Sequence, residues 1–180
     1  MTIISTDRLI LRPLRDGDGP ALVRELNDFA ITRNTATIPF PYADSDAADF
    51  LRHVRAWGSR SLACAVETKE APGELIGVVS YEWSDDKQDA ELGYWLSQSH
   101  WRQGLGREAA GAAVAHAFEF NRHPRLVARY HDGNRASERI LLGLGFAPVG
   151  RGNSFSRAQG KEVPVAILEL TADRWRGRAR

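Results

Sequence analysis

Ala90-Glu91-Leu92-Gly93-Tyr94-Trp95-Leu96, followed shortly by Trp101-Arg102-Gln103-Gly104-Leu105-Gly106-Arg107-Glu108-Ala109-Ala110, is the stretch that decides the fold. Its first seven residues read as a strand, and Arg102 to Asn121 reads as a long alanine-rich helix. Glycines at 104 and 106 let the backbone turn tightly and approach a ligand, because no Cβ stands in the way. A helix that opens there presents unpaired N–H groups and the positive end of its dipole. The pattern predicts a site for a phosphate or pyrophosphate. Ala109, Ala110, Ala112 and Ala113 keep the helix slim enough to pack close to a sheet.

Upstream, Arg8 to Leu14 reads as a first strand stopped by Pro13 and a polar turn. Asp18 is placed to cap a helix with Pro20 in its first turn. Asn27 to Tyr42, with Pro39 and Pro41, reads as irregular, and a second helix opens near Ser45. Strands follow at Leu62–Val66 and Leu75–Trp83, joined by a polar hairpin loop at 67–73. Downstream come a strand at Leu126–His131, a helix at Ala136–Leu144, and closing strands at Phe146–Gly150 and Val163–Leu170. The order predicts an α/β (α+β) fold: a mixed, largely antiparallel central sheet of six to seven strands flanked by about four helices.

The chain has 180 residues, the length of one domain (1–180), with a basic tail at 173–180 expected to fray. Its net charge of +1 gives no general pull toward nucleic acid or an anionic membrane. The arginines of the tail are read as solvated. Cys64 is the single cysteine, so no intrachain disulfide forms, and its apolar neighbours mark it as a packing residue. No stretch approaches the roughly 20 apolar residues of a membrane span, and no signal-peptide pattern opens the sequence. A cytoplasmic protein is expected.

A Walker-type loop is disfavoured because no Gly-Lys-Ser/Thr follows the glycines. The run Gly104 to Ala109 does match Gly-x-Gly-x-x-Ala, the dinucleotide-binding turn. That turn usually opens the first βα unit of its fold, whereas here several strands precede it. A second motif, Asn134-Arg135-Ala136-Ser137 with Gly145-Phe146, follows the Leu126–His131 strand. Asn134 suits a helix cap and Gly145 a helix C-terminus.

Taken together, these motifs resemble the GCN5-related N-acetyltransferase (GNAT) superfamily. The resemblance extends to Thr6-Asp7-Arg8-Leu9-Ile10-Leu11-Arg12-Pro13-Leu14, and to Ala90–Leu96 with Trp101. These segments look like the ribosomal-protein N-terminal acetyltransferase (Rim-type) branch. The resemblance covers about Thr6 to Leu170. It implies acetyl-CoA as donor and direct transfer to a bound amine, with no metal. It would set the CoA pyrophosphate on the backbone of Gln103, Gly104, Leu105, Gly106 and Arg107, and the pantetheine arm beside Leu96. Asn134 would hydrogen-bond the pantetheine or nearby backbone. Many superfamily members carry a tyrosine acid four residues after the Ser137 position; here that residue is Leu141, which makes Ser137 the candidate acid. The acceptor implied for the Rim-type branch is a protein N-terminus. Polyamines, aminoglycosides and amino-acid-like amines are the alternatives, as is a non-catalytic CoA-binding module of the same fold. A homodimer is compatible with the sequence and not dictated by it.

An amine attacks a thioester only as the free base, so the site needs a proton acceptor. Glu91 is the candidate, sharing a strand face with Gly93 and Trp95, where partial burial would favour its protonated form. A half-exposed carboxylate that binds ammonium by charge alone is the simpler alternative. Glu82 and His131 stand in reserve, His131 being expected as a solvated loop residue. Trp57, Trp83, Trp95 and Trp101 are read as core packing or pocket walls. Specificity is expected in the segments 27–47, 84–89 and 153–162.

Overall fold

The computed structural model describes residues 3–178. In it the first expected strand is β2 (Leu9–Pro13), preceded by the two-residue β1 (Ile4–Ser5). The helices α1 (Gly19–Leu26) and α3 (Asp44–Arg55) follow, with a single turn, α2 (Phe29–Thr32), between them. Then come β3 (Leu62–Thr68), β4 (Gly77–Ser84), β5 (Asp89–Leu96), α4 (Leu105–Glu119), β6 (Arg125–His131) and α5 (Arg135–Leu144). The chain closes with β7 (Ala147–Ser156), β8 (Lys161–Thr171) and α6 (Ala172–Arg178).

The strands form one sheet in the order β1-β2-β3-β4-β5-β6-β8-β7. Only β5 and β6 run parallel, because α4 carries the chain back across the sheet between them. The eighth strand beyond the expected seven is β1, too short to carry a periodic signal. The two helices beyond the expected four are α2 and α6.

Alternation along the central strands divides the core in two. Val79 and Tyr81 of β4 and Leu92 and Leu96 of β5 pack with α4 and α5 on one face. Val78 and Trp95 pack with α1 and α3 on the other. Ala109, Ala110 and Ala113 of α4 are buried and Ala112 is partly buried against the same core, so the slim helix does lie close against the sheet. Cys64 is fully buried, and burial pushes its thiol up to about 12, which makes it a packing residue rather than a nucleophile.

Four local expectations are corrected. Asp18 stands at the N-cap of α1 without capping it. The Arg12 guanidinium takes both its carboxylate oxygens at 2.8 and 2.7 Å, and the ion-paired Glu67 flanks the same guanidinium. Asn27–Tyr42 is not wholly irregular, since Asp28 caps α2 by accepting from the Ala30 N–H at 2.8 Å. The segment 153–162, expected as a loop, is mostly paired strand, and the turn shrinks to residues 157–160 with Gly160 at φ +64°. Its polar sequence concealed the strand because β7 is exposed along most of its length. Lastly, the tail expected to fray continues as α6 through residue 178, with Trp175 stacked on Phe118 at 6.0 Å between ring centres. Residues 179 and 180 lie outside the described residues.

Candidate active site

The parallel pairing of β5 and β6 lasts for three registers, Ala90↔Leu126, Glu91↔Val127 and Leu92↔Ala128, and then the strands part. Ser97 N–H donates to the Ile76 carbonyl at 2.8 Å on the β4 side. Strand alternation therefore turns the main-chain groups of Tyr94 and Leu96 toward the opening. On β6, Asp132 N–H donates to the Pro164 carbonyl at 2.9 Å, which turns those of Arg129 and His131 toward it from the other side. The result is a cleft edged by peptide groups. Trp101 borders it, its indole N–H donating to the Leu96 carbonyl at 2.8 Å. Gly77 is indispensable to this shape: a Cβ there would overlap the Trp95 carbonyl oxygen and the Leu96 side chain. Nothing in the local sequence singled it out.

At the mouth of the cleft α4 begins. Gly104 holds φ +80°, a conformation glycine adopts without a steric penalty, and supplies no side-chain cap. The first helical bond runs from Glu108 N–H to the Gly104 carbonyl at 3.1 Å. The amides of Leu105, Gly106 and Arg107 therefore stand ahead of the helical ladder. Gly106 is pressed between Ile140 and Leu96, whose nearest atoms would lie 3.2 and 3.7 Å from an added Cβ, so glycine here brings α4, α5 and β5 together. Gln103 turns its side chain back to the Ser99 carbonyl at 3.0 Å, and Arg107 reaches the Gly143 carbonyl at 3.3 Å.

The N-terminal segment is fastened to this helix start. Glu108 accepts from the Thr6 hydroxyl at 2.6 Å, the Arg8 N–H at 2.8 Å and the Arg8 guanidinium at 2.7 Å. Burial pushes the Glu108 carboxyl up, but these bonds outweigh it and hold it below the usual range. Sequence reasoning missed this group, since about 100 residues separate its partners.

The start of α5 is built differently. Asn134 caps it through Oδ1, accepting from the Ser137 N–H at 3.1 Å. The Ser137 hydroxyl lies 2.9 Å from the hydroxyl of Tyr94 on β5. Burial pushes Tyr94 up to about 12, with the Ser137 bond opposing. Tyr94, like Gly77, carries no local pattern that marks it for the site. At the other end Gly145, at φ +99°, closes the helix, and Phe146 N–H bonds the Leu141 carbonyl at 3.0 Å. Leu141, four residues after Ser137, is buried core.

On the opposite face of β5, Glu91 is half-exposed. Its side chain is 47% exposed and ion-paired with Arg129 of β6. Glu82 is also exposed and lies 3.8 Å from His53. His131, expected in solvent, is instead buried at the end of β6, with Nδ1 bonded to the Arg33 carbonyl at 3.0 Å. The same carbonyl accepts from Gln159 at 2.8 Å, while Arg157 N–H and Ser156 Oγ donate to the carbonyls of Ala36 and Thr35. Two of the three expected specificity segments thus meet, as the loop after α2 is strapped to the tip of the β7–β8 hairpin. The third, 84–89, lies at the opposite end of β5 from the cleft mouth, with Asp89 tied to Arg125 at 3.1 Å. Of Trp57, Trp83, Trp95 and Trp101, the last edges the cleft. Trp95 is core, and Trp83 is sandwiched between Arg60 and the ring of His123.

Among the described residues no three His, Cys, Asp or Glu side chains converge as a metal site, and no helix is long and apolar enough to cross a membrane.

A peptide-edged cleft that ends at uncapped helix amides can receive a long, hydrogen-bonding arm with a pyrophosphate at one end. That is the shape of an acyl-CoA donor site, and it defines the class: a transferase fed by an acyl-CoA. The model of the acetyltransferase (GNAT) domain family matches residues 8–147, and the chain belongs to that family. It is an acyl-CoA-dependent acetyltransferase. The "Uncharacterized N-acetyltransferase p20" of Bacillus licheniformis is 26% identical over 180 residues, covering 98% of this chain and all of that one. Among solved structures, RimJ of Mycobacterium smegmatis in complex with CoA-disulfide is similar with TM-score 0.78 and 20% identity, over 96% of this chain and 90% of that one. Spermidine N-acetyltransferase from Vibrio cholerae, in complex with CoA and spermine, is similar with TM-score 0.79 and 17% identity, over 94% and 99%. The dinucleotide alternative falls with the family.

Proposed function

We propose that the protein transfers the acetyl group of acetyl-CoA directly to a primary amine, and that the acceptor is a protein N-terminus. The observation that carries the donor half is the uncapped start of α4 at the mouth of the β5–β6 cleft. On this reading the amides from Gln103 to Arg107 hold the pyrophosphate. The Tyr94 and Leu96 edge pairs with the pantetheine amides, and the Asn134 side-chain N–H, which the cap leaves over, adds a donor.

The amine nitrogen attacks the thioester carbon; a C–N bond forms, the C–S bond breaks, and sulfur leaves with the electron pair. The nitrogen gives up one proton and the thiolate gains one. Glu91 takes the first, or draws the ammonium in by charge, with Arg129 fixing its orientation. Ser137 gives the second. Tyr94 stands behind Ser137 and orients its hydroxyl, the two oxygens lying 2.9 Å apart. The acceptor reading is supported by the Rim-type pattern of Thr6–Leu14 and by Arg129, whose charge beside Glu91 opposes a polycation more than a single N-terminal ammonium.

The test is titration with acetyl-CoA, with NADH and NADPH as controls, followed by thiol release in the presence of peptides or spermidine. Saturable acetyl-CoA binding, with turnover on free but not on Nα-blocked peptides, is expected. Turnover on spermidine alone overturns the acceptor, and absence of acetyl-CoA binding overturns the donor. Glu91→Gln is expected to lower kcat about 100-fold at unchanged acetyl-CoA affinity if Glu91 is the base. A rise in the amine KM alone leaves it as an ammonium binder.

A further inference from the structure

We infer that Arg8 is a positioning residue of the pyrophosphate loop: it neutralises Glu108 in the first turn of α4 and holds the Gln103 carbonyl away from the incoming anion. The inference rests on the donor reading above and adds a residue that none of the glycine-loop motif contains.

A carboxylate in the first turn of a helix is ordinarily favourable, since it meets the positive dipole end. At an anion site the same charge is a competitor. Glu108 would repel a pyrophosphate seated on the amides of Leu105, Gly106 and Arg107. The described structure answers this charge completely. Arg8 Nε and Nη2 both reach Glu108 Oε2, at 2.8 and 2.7 Å, while Arg8 N–H and the Thr6 hydroxyl take Oε1. The third nitrogen, Nη1, donates to the Gln103 carbonyl at 2.9 Å. That carbonyl immediately precedes Gly104, and an oxygen swung toward the cradle would present a partial negative charge to phosphate. Nη2 also lies 3.4 Å from where a Cβ on Gly104 would stand, so the guanidinium abuts the turn itself. One planar, three-nitrogen group thus fixes two acceptors; lysine, with a single point charge on a flexible stem, cannot hold both. The unequal exposure of the pair, 53% for the Arg8 side chain and 16% for Glu108, leaves the cation on the solvent side, where it also screens the carboxylate from an approaching anion.

The experiment measures acetyl-CoA affinity and the kcat/KM for acetyl-CoA and for S-acetylpantetheine, which lacks the pyrophosphate. Arg8→Met is expected to weaken acetyl-CoA binding about 10-fold, with a smaller loss for S-acetylpantetheine. Arg8→Met combined with Glu108→Gln is expected to recover most of that loss, because the charge to be neutralised has gone. Arg8→Lys should fall between the wild type and Arg8→Met. Equal losses for both donors, or a double variant no better than Arg8→Met, overturns the role. Should Arg8→Met fail to fold, Glu108→Gln alone decides: affinity equal to or above wild type supports the inference, and weakened binding overturns it. Wild-type protein that does not bind acetyl-CoA would instead sink the donor reading itself.

Discussion

The starts of α4 and α5 face the same cleft and are built on opposite principles. At α5 the chain supplies its own acceptor, Asn134 Oδ1, for the Ser137 amide. At α4 the N-cap is Gly104, which offers no side chain, and the first-turn amides have only what arrives from outside. A capping residue like the one α5 has would make α4 alone more secure by about 1 kcal/mol. The difference shows where the fold keeps donors in reserve for a ligand and where it uses them for itself. Charge follows the same division. Glu138 at α5 is held below the usual carboxylate range chiefly by Arg135, a neighbour on its own helix. Glu108 at α4 draws its partners from the far N-terminus, so the open helix start is stabilised by tertiary contacts only.

The sharpest way to break this contrast is Gly104→Val. A β-branched residue at φ +80° is strained by about 1–2 kcal/mol, and its Cβ meets Arg8. Acetyl-CoA affinity is expected to fall about 100-fold or more in a variant that still folds, a size that corresponds to losing several charge-assisted amide bonds. Calorimetric titration checks it, and unchanged affinity would show that the open amides are not the anion site.

The counterpart at α5 is Asn134→Ala, expected to cost about 1 kcal/mol of stability, read from denaturant unfolding. Its effect on acetyl-CoA affinity should be several-fold at most. A loss as large as that of Gly104→Val would erase the distinction between a capped and an open start.

The smallest effect concerns the far end of α4, where His116 is buried against Tyr81, its Nδ1 2.6 Å from the phenol oxygen. Burial lowers the pKa of His116, and of His123 nearby, below the ordinary 6.5. In the window between 6.5 and these lower values the unfolded chain binds more protons than the folded one, so stability falls as pH falls through it. The melting temperature should therefore drop on acidification from neutrality, and His116→Gln should flatten that slope. An unaltered slope in both His116 and His123 variants would assign it elsewhere.

Much of this organisation was readable in the sequence. The strand before the glycines, the long alanine helix and the Asn134 and Gly145 punctuation each depend on local geometry, and each is found within a few residues of its expected place. What was misread depended on distant partners. Asp18 looked like a cap but is claimed by Arg12 across the start of the chain. His131 looked like a loop residue but is covered by the Arg33 segment. The long β7–β8 hairpin was hidden because exposed polar strands lack the alternation that betrays half-buried ones.

Local pattern was enough for the order of the main elements, the shared face of Glu91, Gly93 and Trp95, and the glycine-opened helix, because period and turn chemistry act over a few residues. The rest arose in packing: the parting of β5 and β6, the Gly77 contact that shapes it, Tyr94 behind Ser137, and the Arg8–Glu108 fastening. Those features are meetings of groups tens of residues apart, and a hydrogen bond or a steric contact leaves no mark on the local pattern of either partner.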